Sequence, residues 1–382
     1  MLPIQREGKI MKKKRNEKLD IIRIFSLICV ISVHFFLNSG FYNETVSGSK
    51  MLIMCIFRSF FMICVPMFIT LTGYLMNKKE LNLKYYKEMI KILVIYIICS
   101  IIYALYEKCY LNKNINLITF LENVLNSRGT KYAWYIEMYI GLFLLIPFLN
   151  LIFNNLKDQE QAKMLLITLM ILIGAPSLFN FLYFDYNESS YIKIFPAWWM
   201  REYPLFYYFL GAYMSKYQIG LNEKQNVILL IIAVVLAGCF EFCRCYKNTF
   251  IWGTWNDYQS LVTMIITFLV FNLLLKSKYK TKNNFERSTL QVISNACLGA
   301  YLISCIFDEL YYAQLNSLVP LTQDRFVYAP LIIAMVLFSS LVVSIIINLF
   351  VSKVMNSKKK DKCMNNEIIK DEEENEIAKS IC

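Results

Sequence analysis

The sequence predicts an all-α, polytopic integral membrane protein with about ten transmembrane helices. Of its 382 residues, 57% are hydrophobic and only 18% are charged, whereas soluble domains contain roughly half apolar and a quarter charged residues. The apolar residues collect in stretches of about twenty, the length that a helix needs to span a hydrocarbon core about 30 Å thick. Lysine and arginine lie mainly in alternate loops, as in cytoplasmic loops. We therefore expect a multi-pass protein of the cell (cytoplasmic) membrane, with the lipid bilayer as its first partner.

Ten apolar stretches are long enough to be spans. Basic residues are dense before the first span and after the second, eighth and tenth, which predicts that both termini are cytoplasmic and that the number of spans is even. All five tryptophans fall at predicted outer ends of spans, where an amphipathic ring favours the interface. The predicted spans are residues 19–39, 51–76, 87–107, 133–154, 163–184, 198–217, 225–244, 258–277, 290–309 and 329–353.

These spans predict a single membrane domain over residues 19–353, with a basic cytoplasmic segment (1–18) before it and a charged cytoplasmic tail (354–382) after it. The net charge of +12 follows from the cationic loops, so no nucleic-acid partner is expected. The twelve cysteines have no metal-ligand spacing and the chain has one histidine, so no metal is expected either.

The first span carries the most informative residues. Arg23 and His34 are eleven residues apart, three helical turns, so they project from one face about 16 Å apart along the axis. Ionisable residues within a span usually face the bundle interior or a water-filled cavity. Taken alone, Arg23 could be an interfacial arginine that reaches the phosphates, and His34 a histidine bonded to a neighbouring helix. Together they favour an intramembrane site with His34 as its general base.

The first span, LDIIRIFSLICVISVHFF, with ten residues between Arg23 and His34, resembles the membrane-bound acyltransferase 3 family. Three later segments resemble the family in the same order. They are Pro66–Leu75 with its Thr-Gly-Tyr-Leu end, Trp134-Tyr135-Ile136 with Ile140-Gly141-Leu142 and Pro147, and Pro204–Gly211.

The resemblance implies an enzyme that transfers an acyl group, commonly acetyl, from acyl-CoA to a hydroxyl of an envelope polysaccharide or another extracytoplasmic glycan. It implies that the phosphates of acyl-CoA bind near Arg23, Lys87 and Lys91, and that His34 acts as base or briefly carries the acyl group. The lysines stand where many members have a pair of arginines, and Ser304 stands where many have a second histidine.

Charged and aromatic residues at the predicted outer ends of spans suit a hydroxylated acceptor, either a glycan or a lipid-linked sugar, although such charges are also common as interfacial ion pairs. Glu137, which follows the Trp134-Tyr135 pair, is predicted to orient or charge His34. The residues predicted to bind the acceptor are Arg58, Trp134, Tyr135, Arg201 and Glu241.

Two other functions remain open at this stage. A transporter or flippase of an envelope precursor would also carry buried charges, but the sequence offers no matching pair of broken helices in two halves. A polymerase of lipid-linked polysaccharide usually brings a large external loop, and the longest here is about twenty-five residues. If the protein is an acyltransferase, either the ten-span unit acts alone or a separate extracytoplasmic transferase completes the transfer.

Overall fold

The computed structural model describes residues 15–179 and 194–354, and within them it is helical with no β-strand. This confirms the all-α prediction. Within these residues, eight helical segments are long and apolar enough to cross a membrane, some of them made of two adjoining helices, which confirms the polytopic class. In chain order the helices are α1 (Glu17–Asn38), α2 (Gly48–Phe61), α3 (Cys64–Met76), α4 (Leu83–Lys87), α5 (Met89–Cys109), α6 (Leu117–Leu125), α7 (Trp134–Asn154), α8 (Gln159–Gly174), α9 (Pro176–Phe179), α10 (Tyr203–Lys216), α11 (Glu223–Cys245), α12 (Leu261–Lys276), α13 (Asn284–Leu318), α14 (Thr322–Arg325) and α15 (residues 329–354).

Every predicted span coincides with helix in the structure as far as the chain is described. The helices at the sixth and eighth spans, α10 and α12, have only 14 and 16 residues and are short for a membrane crossing. The number of crossings therefore stays a prediction. The predicted amino-terminal segment up to residue 14, the end of the fifth span from residue 180 and the tail after residue 354 lie outside the described residues.

Prolines explain two interruptions in the predicted spans. The second span is divided into α2 and α3 at Met62 and Ile63, just before Pro66, which has no N–H to donate to the preceding turn. The sixth span begins as a 3-10 turn over Ala197–Glu202 and becomes α-helical at Tyr203, with Pro204 in its first turn.

Asparagine side chains cap the amino termini of three long helices. Asn16 accepts from a backbone N–H at the start of α1, Asn222 does so for α11 and Asn283 for α13. These bonds satisfy amide groups that the helix itself leaves unpaired. Each cap fixes the point at which a helix starts beside the basic loops.

Contacts between helix ends give the directions of α11 and α12 relative to α1. Lys18 at the start of α1 donates to the carbonyl of Leu275 near the end of α12. At the other end of α1, the backbone of Val46 exchanges hydrogen bonds of 2.9 Å with Lys247 and Asn248, just after α11. The start of α1 therefore shares a face of the bundle with the end of α12, and its end shares the opposite face with the end of α11.

Helix α1 is central because it packs along both α13 and α3. On the side of α3 that faces away from α1, α3 crosses α10 at two glycines. A Cβ on Gly73 would lie 1.9 Å from the Tyr208 carbonyl oxygen, and one on Gly211 would lie 1.9 Å from that of Thr70. Small residues of this kind allow backbones to approach closely in membrane bundles. This crossing holds α3 rigidly behind α1.

Arg325 ties the ends of α1 and α13 together. Its guanidinium donates to the carbonyl oxygens of Ser39 at 2.6 Å, Val319 at 2.7 Å and Pro320 at 2.8 Å. Ser39 and Val319 are the residues that cap the carboxyl ends of α1 and α13. A cation is favourable there because both helix dipoles place negative partial charge at these ends.

Candidate functional site

The site lies between α1 and α13, which run side by side in the same direction. Near their amino-terminal ends, Arg23 Nη1 donates to Ser294 Oγ at 3.0 Å. Three turns further along α1, His34 Nδ1 lies 3.2 Å from Asp308 Oδ2. The face of the first span that carries Arg23 and His34 therefore contacts α13 at both residues.

Asp308 is the carboxylate that faces His34. It is fully buried, and Tyr132 donates its hydroxyl proton to the same Oδ2 at 2.8 Å. Asn38 completes the cluster, since its amide nitrogen lies 2.8 Å from the His34 carbonyl and 3.2 Å from the Tyr132 hydroxyl. The 3.2 Å approach of Nδ1 to Oδ2 is not aligned as a hydrogen bond, and Asp308 Oδ1 has no hydrogen-bond partner among the described residues.

Aromatic rings fix the plane of the imidazole. Tyr132 stacks on His34 with the ring centres 3.8 Å apart and the planes 30° apart. Tyr301, from α13, lies 6.4 Å from the His34 ring centre and donates its hydroxyl to the Tyr132 carbonyl. Only 8% of His34 is exposed. The imidazole is therefore held in one orientation, with a carboxylate at Nδ1, as in hydrolases in which a base is oriented by a third group.

A cavity of about 340 Å³ follows α1 from Arg23 toward this cluster. Arg23, Lys91 and Ser294 line one end, whereas Tyr135 and Tyr301 line the end nearest His34. The remaining wall is largely apolar, with residues from α1, α3, α5, α7 and α13. The cavity thus joins a cationic mouth to Tyr301, whose ring centre lies 6.4 Å from that of His34, whereas His34, Tyr132 and Asp308 are not among its described lining residues. Its further lining residues include Val30, Val65, Phe68, Leu71, Leu75, Ile92 and Leu298.

At the cationic mouth, Asp20 is held mainly by Arg15. Two guanidinium nitrogens of Arg15, Nε and Nη2, bond the Asp20 carboxylate, Nε at 2.9 Å, whereas Arg23 Nη1 lies 3.9 Å away. Arg23 is 29% exposed in its side chain and Lys91 is exposed. Arg23 and Lys91 therefore remain available to an anionic group.

The predicted donor-site residues are placed unequally. Arg23 and Lys91 line the cavity, whereas Lys87 is exposed at the end of α4 and is not among the lining residues. Of the predicted acceptor residues on α7, Tyr135 lines the cavity and packs edge-on against Tyr301, with ring centres 5.8 Å apart. Trp134 is 40% exposed and stacks on Tyr258.

The prediction that Glu137 orients His34 needs correction. Glu137 is exposed on α7, and among the described residues the carboxylate within ion-pair distance of His34 is that of Asp308. The sequence does carry a signal for Asp308, because it is an acidic residue in a long apolar stretch and lies seven residues, two helical turns, after Tyr301. The position of Glu137 next to Trp134-Tyr135 in the sequence is a weaker indication of a partner for His34.

Arg58 and Glu241 lie together, but not at the His34 cavity. Both are buried, and Arg58 Nη1 lies 2.9 Å from Glu241 Oε1. Arg58 lines a second cavity that shares no described residue with the first. Arg201 is exposed in the 3-10 turn before α10. No group of three or more His, Cys, Asp or Glu within residues 15–179 and 194–354 is arranged to hold a metal.

Comparisons with known proteins identify the family of the chain. The profile of a family described as an acyltransferase domain, acyltransferase 3, matches residues 16–349. A probable poly-beta-1,6-N-acetyl-D-glucosamine export protein of Staphylococcus aureus (strain MSSA476) is 25% identical over 322 residues, 80% of this chain and 86% of the relative. The protein of the same name from Staphylococcus epidermidis is 22% identical over 319 residues, which are 79% of this chain and 84% of the relative. No solved structure matches the chain.

Proposed function

Because the chain belongs to the acyltransferase 3 family, a family of O-acyltransferase-like membrane enzymes, we propose that it transfers an acyl group, with acetyl the first candidate, from acyl-CoA to a hydroxyl of an extracytoplasmic polysaccharide. The observation that carries the proposal is the cavity along α1, which joins the Arg23 end to the rings beside His34 and Asp308. The export proteins named above support a polysaccharide as the acceptor.

The cavity suits a donor with a charged head and a long uncharged arm. Arg23 and Lys91 supply cations for phosphate groups, Arg23 as a planar fork and Lys91 as a point charge. Beyond them the wall is mainly apolar as far as Tyr135 and Tyr301. A pantetheine arm that enters past Arg23 would bring its thioester toward His34. Lys87 takes no part in this arrangement, since it is not among the lining residues.

His34 is proposed as the general base. Asp308 at Nδ1 leaves Nε2 for the acceptor, and a buried carboxylate stabilises the imidazolium that forms when the proton is taken. The acceptor oxygen attacks the thioester carbonyl while its proton moves to Nε2. The C–S bond then breaks, and the proton passes from Nε2 to the leaving sulfur, which restores neutral His34. The acceptor would approach from the end of α1 that carries Asn38, close to the exposed Trp134, with Tyr135 below it. Arg201 is a further candidate for the acceptor surface.

The first experiment measures transfer of radiolabelled acetyl-CoA into envelope polysaccharide by membranes that contain the full chain. His34→Gln keeps the size of the side chain but cannot cycle a proton, so we expect label in the polymer to fall to background at unchanged protein level. Transfer by the variant at the wild-type rate would contradict the proposal. If the wild-type protein retains label when acceptor is absent and the His34→Gln variant does not, His34 carries the acyl group instead of acting as a base.

Export of the polysaccharide itself is the second candidate function, and the names of the relatives favour it. The two functions differ in where unmodified polymer collects. An acyltransferase without His34 leaves polymer at the cell surface in unacylated form, whereas an exporter without activity leaves it inside the cell. Measuring the amount and the acyl content of surface polymer in the His34→Gln strain separates them.

A further inference from the structure

A second cavity, of about 370 Å³, lies between α2, α9, α11 and α12. Its size falls within the usual range of ligand pockets, about 300–1,000 Å³. Its wall is mainly apolar and includes Met62, Ala237 and Val262. At its rim, Leu178 is 52% exposed and Leu236 is 64% exposed. Both residues belong to helices long and apolar enough to cross a membrane, so their exposed side chains can meet lipid.

Arg58 is the polar group that stands out in this wall. It is 0% exposed, and its Nη2 is buried without a hydrogen-bond partner among the described residues. The hydroxyl and amide side chains around it have protein partners, as Ser59 donates to Glu241, Ser177 to the Gly174 carbonyl and Asn256 to the Ile251 carbonyl. A buried donor left unpaired costs free energy, so a ligand that supplies an acceptor oxygen would be stabilised once a shift of the guanidinium opens Nη2 to the cavity.

The surroundings of Arg58 favour an uncharged acceptor. Its Nη1 lies 2.9 Å from Glu241 Oε1 and donates to the Asn256 carbonyl at 2.8 Å, so its charge is already balanced. A phosphate would bring a second negative charge beside Glu241 in an apolar setting, which is unfavourable. An ester carbonyl accepts the same hydrogen bond without that charge.

The depth of Arg58 fits an ester group. The rings of Phe250 and Trp252 lie 4.6 Å and 4.8 Å from its guanidinium carbon, and both belong to the segment between α11 and α12 rather than to a helix. Trp252 is 49% exposed. Tryptophan favours the boundary between hydrocarbon and head groups, and that is where the ester groups of glycerolipids lie.

We infer that this cavity is a binding site for a glycerolipid of the bilayer, which inserts an acyl chain between α2, α11 and α12 and whose ester carbonyl accepts a hydrogen bond from Arg58 Nη2. The site is distinct from the proposed acyl-transfer cavity. Binding therefore does not require His34, and the His34→Gln variant binds the lipid as the wild type does.

The test uses photo-crosslinking of the purified full chain in detergent. The probe is a diacylglycerol with a diazirine at the end of one acyl chain, compared with a dialkylglycerol that has the same diazirine but no ester carbonyl. Loss of one hydrogen bond from a charged donor corresponds to about a tenfold to hundredfold lower affinity. We expect the ester probe to label peptides of α2, α11 or α12 and the ether probe to need that much higher concentration. Equal labelling by both probes, or better competition by phosphatidic acid than by diacylglycerol, would overturn the inference.

Variants locate the site. Leu236→Trp fills the rim and is expected to reduce labelling by at least about tenfold, whereas Val235→Trp, on an adjacent position that is 41% exposed and not in the cavity wall, is expected to label normally. Wild-type labelling of Leu236→Trp contradicts the inference. Replacing Arg58 and Glu241 together by methionine avoids a lone buried charge and should remove the preference for the ester. If that double variant does not fold, the ester-to-ether comparison on the wild-type chain decides.

Discussion

His34 gains its chemical character from side chains on three different segments. Tyr132 stacks on one face of its ring, Asp308 approaches Nδ1 and Asn38 bonds its backbone carbonyl. A buried carboxylate needs compensation, and Asp308 accepts a hydrogen bond from the Tyr132 hydroxyl. The arrangement places this carboxylate 3.2 Å from the imidazole, where it suits the oriented base that the proposed mechanism requires.

The role of the carboxylate can be tested with Asp308→Asn. The amide still accepts a hydrogen bond from Tyr132 but no longer carries the charge beside His34, so we expect the transfer rate to fall on the order of 10²- to 10⁴-fold with little change in donor KM. Initial rates with radiolabelled acetyl-CoA measure this effect.

Glu309→Gln is the matched control for this substitution. Glu309 is the next residue, it lies 3.9 Å from Lys131 at a partly exposed pair, and such pairs contribute little. We expect nearly wild-type transfer from it. Asp308→Asn protein that transfers within about twofold of the wild-type rate would remove Asp308 from the mechanism.

At the residue scale, the sequence identifies His34 of the pair formed by His34 and Asp308, but it points to Glu137 rather than Asp308 as the carboxylate. His34 and Arg23 could be singled out because both are polar in an apolar span and share a face. The carboxylate could not be chosen with certainty, because Glu137 and Asp308 are both acidic residues near predicted outer ends. Which of them reaches His34 depends on the neighbour of α1, and the structure shows α13 on that face.

At the scale of elements, hydrophobic length predicts where helices lie but not how far they extend. The predicted ninth span covers residues 290–309, whereas α13 runs over 35 residues from Asn284 to Leu318. Its ends are set by the Asn283 cap and by the Arg325 bonds to carbonyls beyond the last turn. Helix α6 lies within a predicted loop and has no buried residue, so a pattern of buried apolar positions does not predict it.

The crossing of α3 and α10 is expected to be sensitive to a single methyl group. The Cβ of Gly211→Ala would meet the Thr70 carbonyl oxygen at 1.9 Å and the Tyr74 nitrogen at 2.7 Å. These are backbone atoms, so the helices must separate, at a cost of about 1–3 kcal/mol. We expect a lower midpoint of thermal unfolding in detergent, followed by size-exclusion chromatography.

Gly141→Ala provides the comparison, because a Cβ there meets nothing within 4 Å and the residue is exposed on α7. Alanine favours helix over glycine by up to about 1 kcal/mol, so the midpoint should be unchanged or higher. If the two alanine variants unfold at the same temperature, the close crossing does not limit stability.

At the scale of the whole molecule, the direction of α11 decides between ten crossings and eight. If the two short helices α10 and α12 did not cross, α11 would run opposite to α1. The structure instead bonds Val46, after α1, to Lys247 and Asn248, after α11, with 2.9 Å hydrogen bonds. Two helices whose carboxyl ends meet at one face run in the same direction, and this favours ten crossings over eight.

Cysteine labelling in intact cells tests this arrangement without substitutions. Cys243, near the end of α11, and Cys109, at the end of α5, are both free and exposed. With ten crossings, a charged maleimide that cannot pass the membrane should modify both from outside, as found by mass spectrometry of peptides. Cys363, in the tail predicted to be cytoplasmic, should react only after permeabilisation. With eight crossings Cys109 would still react from outside but Cys243 would be protected. That result would contradict the shared direction of α1 and α11, and with it the pairing of Val46 with Lys247 and Asn248.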